Sequence, residues 1–172
     1  MMRTLKITNA NIYDAKEKKF FKGALVAEDG MITKLCDAID DADAIDLGGQ
    51  YLIPGMVDVH THGRAGYDFD SATVEQFHEM QRAYAKAGTT SVMATIASAP
   101  MPQIEQYIAN CKEASENPPQ DCAAAIAGIH FEGRYLNPSK RGAHNAELLA
   151  PLDEKELEGL LNQMKPLPVH LS

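Results

Sequence analysis

The chain has 172 residues, 45% of them hydrophobic and 23% charged. That composition supplies a real core and excludes a chain disordered throughout. Its 24 acidic residues against 16 basic ones leave a formal charge of −8 with no Lys/Arg block. This argues against nucleic-acid binding, which needs clustered cations along the phosphates. Cys36, Cys111 and Cys122 are too scattered for a disulfide framework or a Cys-x-x-Cys knuckle and fit a reducing compartment. Polar residues interrupt the apolar ones from Met1 to Asn9, and no run approaches the roughly 18 apolar residues of a membrane span. The expectation is a cytoplasmic protein without a membrane partner.

The first fifty residues read as β. Leu5, Ile7, Ala10 and Ile12 alternate imperfectly with polar neighbours, and Ala24–Glu28 and Met31–Leu35 flank Asp29-Gly30, a strong hairpin signal. After the turn at Pro54-Gly55 the pattern becomes strand, helix, strand. Met56–His60 is a short apolar strand. Thr73 and Gln76 have capping-box spacing ahead of Phe77, Met80, Tyr84 and Ala87, and Gly88 ends that helix. Thr89–Ala97 is a second strand, and Pro102 opens a helix carrying Ile104, Ile108 and Cys111. Ala123–His130 is a third strand, followed by a long loop from Glu132 to about Pro151. Asp153 with Glu156 forms a second capping box, before Leu157, Leu160, Leu161 and Met164, and Pro168–Ser172 starts a fourth strand. This order predicts a parallel sheet with crossover helices. The expected division is residues 1–54 as a β segment and 55–172 as an α/β region.

Three features can carry chemistry. In Val57-Asp58-Val59-His60-Thr61-His62-Gly63, strand alternation points His60 and His62 the same way at the end of the first parallel strand. That is a half-site for a divalent metal, Zn or Fe, at the end of a strand where α/β folds place their active sites. A pair of half-exposed structural histidines is an equal reading of those residues alone. In Gly128-Ile129-His130-Phe131-Glu132-Gly133 the carboxylate shares a face with His130, a position that favours pairing with a cation, whereas a lone Glu at a loop start is more commonly solvated. The loop Arg134–Asn145 carries Arg134, Lys140, Arg141 and His144, suited to an anionic substrate or equally to a solvated surface. His78 reads as a packing or surface residue and His170 has no evident partner. Gly63-Arg64-Ala65-Gly66 lacks the spacing of a phosphate-cradling loop.

The stretch Pro54-Gly55-Met56-Val57-Asp58-Val59-His60-Thr61-His62-Gly63 resembles the opening of the amidohydrolase superfamily, whose His-x-His pair ends the first strand of a (β/α)8 barrel. His130-Phe131-Glu132-Gly133, Leu136-Asn137-Pro138 and Lys140-Arg141-Gly142-Ala143-His144-Asn145 resemble, within it, the N-acetylglucosamine-6-phosphate deacetylase family. The resemblance implies an α/β fold with an incomplete barrel of three to four βα units, preceded by a segment of a small β-sandwich. It implies Glu132 as a metal ligand, His60 and His62 as the pair for a second metal position, so one or two ions, and Ala143 and His144 as sugar contacts. The implied partner is N-acetylglucosamine 6-phosphate, the implied reaction metal-assisted hydrolysis of its acetamide, and the complete enzyme a homo-oligomer. The family's catalytic aspartate, on a late strand, falls beyond residue 172, and a closed barrel needs about 250 residues. The chain is therefore expected to be an inactive front portion. Where the family usually reads Glu-Gly-Pro-Phe, this chain has Glu132-Gly133-Arg134-Tyr135, which adds a charge beside the expected metal. A non-catalytic sugar-phosphate- or partner-binding module, or another amidohydrolase, is the alternative.

Overall fold

A computed structural model describes residues 4–172, so Met1–Arg3, part of the polar-interrupted start, lie outside the described residues. The chain divides into two compact units, Met1–Pro54 and Gly55–Ser172.

In the first unit β1 (Thr4–Asp14), β2 (Lys19–Glu28) and β3 (Met31–Cys36) form an antiparallel meander. Two short strands, β4 (Ile45–Asp46) and β5 (Tyr51–Leu52), pair in parallel with β1. Glu28 pairs with Met31 across a two-residue turn in which Asp29 and Gly30 both have positive φ, as a type I′ hairpin requires. The imperfect alternation of β1 has a structural cause: the register with β2 shifts between Ile7 and Ala10, at Asn9 with φ +52. A bulge inserts one residue and exchanges the faces, so Ile7 precedes it and Ala10 and Ile12 follow it on the packed side. Ala10, Ile12 and Leu25 are buried there, with Phe21, Leu47 and Leu52 against them. The described residues form one sheet layer, and Met31, Ile32 and Leu35 of β3 are exposed.

The second unit begins with β6 (Met56–Thr61), then a hairpin absent from the sequence expectation, β7 (Gly63–Arg64) with β8 (Tyr67–Asp68). There follow α1 (Val74–Lys86), β9 (Thr89–Ile96), α2 (Met101–Glu116), β10 (Ala125–Phe131), α3 (Glu154–Met164) and β11 (Val169–Leu171). The long strands lie in the order β11-β10-β9-β6, and every pairing is parallel. Sequential parallel strands joined by helices are the arrangement of the first half of a (β/α)8 barrel.

Helix α1 starts at the capping box expected for it, with Thr73 and Gln76 exchanging hydrogen bonds. Helix α3 differs from expectation. Asp153 accepts the Lys155 and Glu156 N–H groups, but the Glu156 side chain is turned away to Arg134 and Tyr135. The core is built from Phe69, Phe77, Met80 and Tyr84, from Val92, Ala94 and Ile96 of β9, from Ile104, Tyr107, Ile108 and Cys111 of α2, and from Leu160 and Met164 of α3. Each large apolar side chain so buried contributes about 1.5–3 kcal/mol of transfer free energy. Gln81 is buried too, its amide donating to the Ala124 carbonyl while the Ala124 N–H returns to the Gln81 carbonyl. Strand β6 is an edge, and its Val57 and Val59 are 64% and 59% exposed, unlike the buried residues of β9.

No helix among the described residues is long and apolar enough to cross a membrane. The three thiols are free, and burial pushes the Cys111 thiol up to about 12, which leaves it inert at neutral pH.

Candidate metal centre

The sheet delivers its chemistry-bearing side chains to the C-terminal ends of the strands. His60 lies near the end of β6, with its N–H donated to the Asp58 carboxylate, and His62 follows one residue beyond the strand. The peptide between them is pinned. Thr61 N–H donates to Thr95 Oγ1 on β9, the Thr61 hydroxyl meets Tyr84 Oη at 2.5 Å, and Tyr84 donates to the Gly63 carbonyl. The His62 carbonyl accepts the Phe69 N–H from the far side of the β7–β8 hairpin. Glu132 follows β10 directly, its N–H donated to the Ile96 carbonyl of β9.

These backbones bring three donor atoms together. His60 Nε2 and His62 Nε2 are 3.3 Å apart, and both face Glu132 Oε2, at 3.4 and 3.1 Å. An ion held at about 2.0–2.2 Å in tetrahedral geometry places its ligand atoms about 3.3–3.6 Å apart. Two sides of the observed triangle fall in that range and the third, at 3.1 Å, is slightly shorter. Two imidazoles and one carboxylate are a donor set suited to Zn or Fe, and three protein ligands leave one coordination position open. The histidines are about half exposed and the carboxylate 22% exposed, so the group is accessible from solvent.

Two residues of the group, His62 and Glu132, border an open cleft of about 530 Å³, within the range of small-molecule sites. Lys140, Arg141, Ala143 and His144 line it too. His144 Nε2 lies 3.9 Å from Glu132 Oε1. The loop cations do not act as one patch. The Arg141 guanidinium binds the carbonyls of Gly142 and His144, stapling its own turn, whereas Lys140 is exposed on the cleft wall and pairs with no described acidic residue.

Arg134 is turned elsewhere. It makes a two-point contact with Glu156 of α3, Nε to Oε1 at 2.7 Å and Nη2 to Oε2 at 3.2 Å, and Tyr135 donates to the same Oε1. The charge at position 134 is thus neutralised away from the metal-type group. Its φ of +62 is one that proline cannot adopt, so the loop departs in path as well as charge from a Glu-Gly-Pro-Phe stretch. Burial, then the hydrogen bond to Glu156, push the Tyr135 hydroxyl up to about 12. Arg134 holds the Glu156 carboxyl below its ordinary 4.5. A lowered folded-state pKa gives stability that is present above the unfolded value and fades as pH falls through the folded one. Glu156→Ala is expected to cost about 1.5–3 kcal/mol at pH 7, the range for hydrogen bonds to charged groups. Urea unfolding checks it, and the difference from the parent chain is expected to shrink below pH 4.5.

His130 is buried on the face it shares with Glu132, between Thr95 Oγ1 on Nδ1 and Ser172 Oγ on Nε2, and burial holds its pKa below the ordinary imidazole value. His170, partnerless in the sequence, pairs in register with His130, their rings 4.9 Å apart. His78 is half-buried on α1, and its Nε2 has no protein partner. Sequence reasoning missed Ser98, which sits between two alanines after β9 and touches His144. Only its place after the second parallel strand, at the functional end of the sheet, marks it in the sequence.

The profile of the Amidohydrolase family matches residues 51–167, more than half of the chain. The N-acetylglucosamine-6-phosphate deacetylase of Vibrio furnissii is 34% identical over 135 residues, covering 77% of this chain and 33% of that protein. Among solved structures, the N-acetylglucosamine-6-phosphate deacetylase of Pasteurella multocida superposes with a TM-score of 0.86 at 26% identity, over 98% of this chain and 45% of that one. A Mycobacterium smegmatis deacetylase solved in complex with N-acetyl-D-glucosamine-6-phosphate superposes at 0.78 with 22% identity, over 94% of this chain and 41% of that one. This chain therefore spans a third to under half the length of these relatives. With a family match that runs from β5 past α3 and takes in His60, His62, Glu132 and His144, the chain belongs to the amidohydrolase family.

Proposed function

We propose that this chain supplies the metal half-site and part of the sugar pocket of an enzyme that hydrolyses the acetamide of N-acetylglucosamine 6-phosphate to acetate and glucosamine 6-phosphate. The observation that carries the reading is the triangle of His60, His62 and Glu132 at coordination spacing, with His62 and Glu132 lining a cleft that His144 also lines. A divalent ion, zinc or iron, supplies water activation and Lewis-acid polarisation of an amide carbonyl when bound there. His60 and His62 hold it with neutral imidazoles, and Glu132 adds the negative charge that favours a dication. The three donors converge on one point, which suits one ion; a second ion draws on further ligands. Ala143 and His144 contact the sugar, and Lys140 stands where an anionic group can meet it. The names of the deacetylase relatives support this substrate.

Among the described residues Glu132 is the one carboxylate that lines the cleft, and it faces two imidazoles. Expulsion of an amine requires a proton donor that a metal-bound carboxylate does not provide. The 172-residue chain alone is therefore expected to bind metal without turnover. In the whole enzyme we place the protein in the cytoplasm as a homo-oligomer, with a second β layer on the sheet of the first unit. A chimera tests the reading: residues 51–167 replace the matching segment of the Vibrio furnissii deacetylase, and acetate release from N-acetylglucosamine 6-phosphate is measured. Release is expected, and its loss on changing His60 and His62 to Ala. A folded, zinc-loaded chimera without acetate release contradicts it.

A further inference from the structure

We infer that Ser98 is a positioning residue that fixes the orientation and tautomer of His144, so that the ring presents Nε2–H to the cleft. Ser98 Oγ lies 2.9 Å from His144 Nδ1, and the Ser98 backbone N–H points at the same nitrogen at 3.4 Å. A backbone N–H can only donate, so the nitrogen it faces is an acceptor. The hydroxyl fits the same assignment. Ser98 Oγ accepts the Arg134 N–H at 3.0 Å, and its own proton is free to donate to the Nδ1 that the backbone N–H marks as an acceptor. With the proton on Nδ1 instead, the ring N–H and the Ser98 N–H meet head to head.

A neutral imidazole carries one proton, so an acceptor Nδ1 leaves Nε2 as the donor. Nε2 is 3.9 Å from Glu132 Oε1, too far for a direct hydrogen bond. Its proton is therefore available to an acceptor oxygen, carbonyl or hydroxyl, of a ligand lying against Glu132. The ring is 13% exposed and has little room to turn. Gly133 makes the junction possible: a Cβ there sits 2.4 Å from Ser98 Oγ and 3.0 Å from both Cε1 and Nδ1 of His144. Ser98 thus ties the end of β9 to the loop that follows β10. The ligand's identity as an amino-sugar phosphate rests on the function proposed above; the tautomer does not.

The test is a long-range proton–nitrogen correlation spectrum of the ¹⁵N-histidine-labelled chain, recorded without sugar about two pH units above the ordinary imidazole value of about 6.5. The expected result for His144 is an unprotonated Nδ1 and a protonated Nε2. In Ser98→Ala, where only the longer backbone contact at 3.4 Å remains in place of the 2.9 Å hydroxyl contact, the two shifts are expected to move toward averaged values, and Ser98→Thr, which keeps the hydroxyl, to restore them. A protonated Nδ1 in the parent chain overturns the inference, as does a Ser98→Ala spectrum identical to the parent's. If Ser98→Ala fails to fold, the parent and Ser98→Thr spectra still decide. A chimera that releases no acetate while His144 keeps this tautomer counts against the proposed function and leaves the inference standing.

Discussion

Glu132→Gln is expected to weaken zinc binding to this chain by about 100-fold or more while leaving the fold in place. Loss of a second-layer partner of a metal ligand already costs roughly 10–100-fold in affinity, and here a charged ligand itself is neutralised. Oε2 of Glu132 is the atom both histidines face, so the change leaves two imidazoles and no negative charge at the triangle. The side chain is partly exposed, and its backbone N–H stays bonded to the Ile96 carbonyl, so the amide is accommodated without a buried vacancy. Calorimetric titration with zinc checks the expectation, with Glu156→Ala as the control, since Glu156 bonds to Arg134 and Tyr135 and faces neither histidine. Unchanged zinc affinity in Glu132→Gln contradicts the assignment of that carboxylate as a ligand.

Gly133→Ala is expected to destabilise the second unit by about 2–3 kcal/mol, which for a chain of this size lowers the melting temperature by roughly 5–10 °C. Two effects add. The backbone at Gly133 has φ +112, a region open to glycine and strained for any residue with a Cβ. The new methyl also enters the contact between Ser98 and His144, two groups already committed to each other and to the Arg134 N–H. Gly159→Ala is the contrasting control: it lies within α3 with nothing near the added carbon, and alanine there is expected to stabilise by up to about 1 kcal/mol. Thermal melts of the three proteins check both signs. An unchanged melting temperature for Gly133→Ala rejects the strained junction.

Much of the second unit was legible because local chemistry and tertiary structure agree there. Thr73 and Gln76 begin α1 where their spacing says, and the alternation of Asp58, His60 and His62 brings both imidazoles to one point. What escaped the sequence was decided by partners distant in the chain. Glu156 reads as half of a capping box, yet Arg134, 22 residues earlier, offers it two charge-assisted hydrogen bonds in place of one to a backbone N–H. The loop cations read as one group, but Arg134 and Arg141 are taken by Glu156 and by the loop's own carbonyls, and of the three Lys140 is the one left uncommitted on the cleft wall among the described residues. The bulge at Asn9 appeared in the sequence only as broken alternation. The β7–β8 hairpin was missed because its strands are two residues long, too short for any periodicity to register. Ser98 carries no signal of its own, since a serine between alanines becomes informative only when the fold places His144 against it.

The central claim is that His60, His62 and Glu132 hold one divalent ion. Crystals of the zinc-soaked protein, with diffraction recorded at and below the zinc absorption edge, locate that ion directly. The expected result is a single strong anomalous peak about 2.0–2.2 Å from His60 Nε2, His62 Nε2 and a Glu132 carboxylate oxygen. A peak bound by other residues, or zinc held by the two histidines with Glu132 turned away, contradicts it.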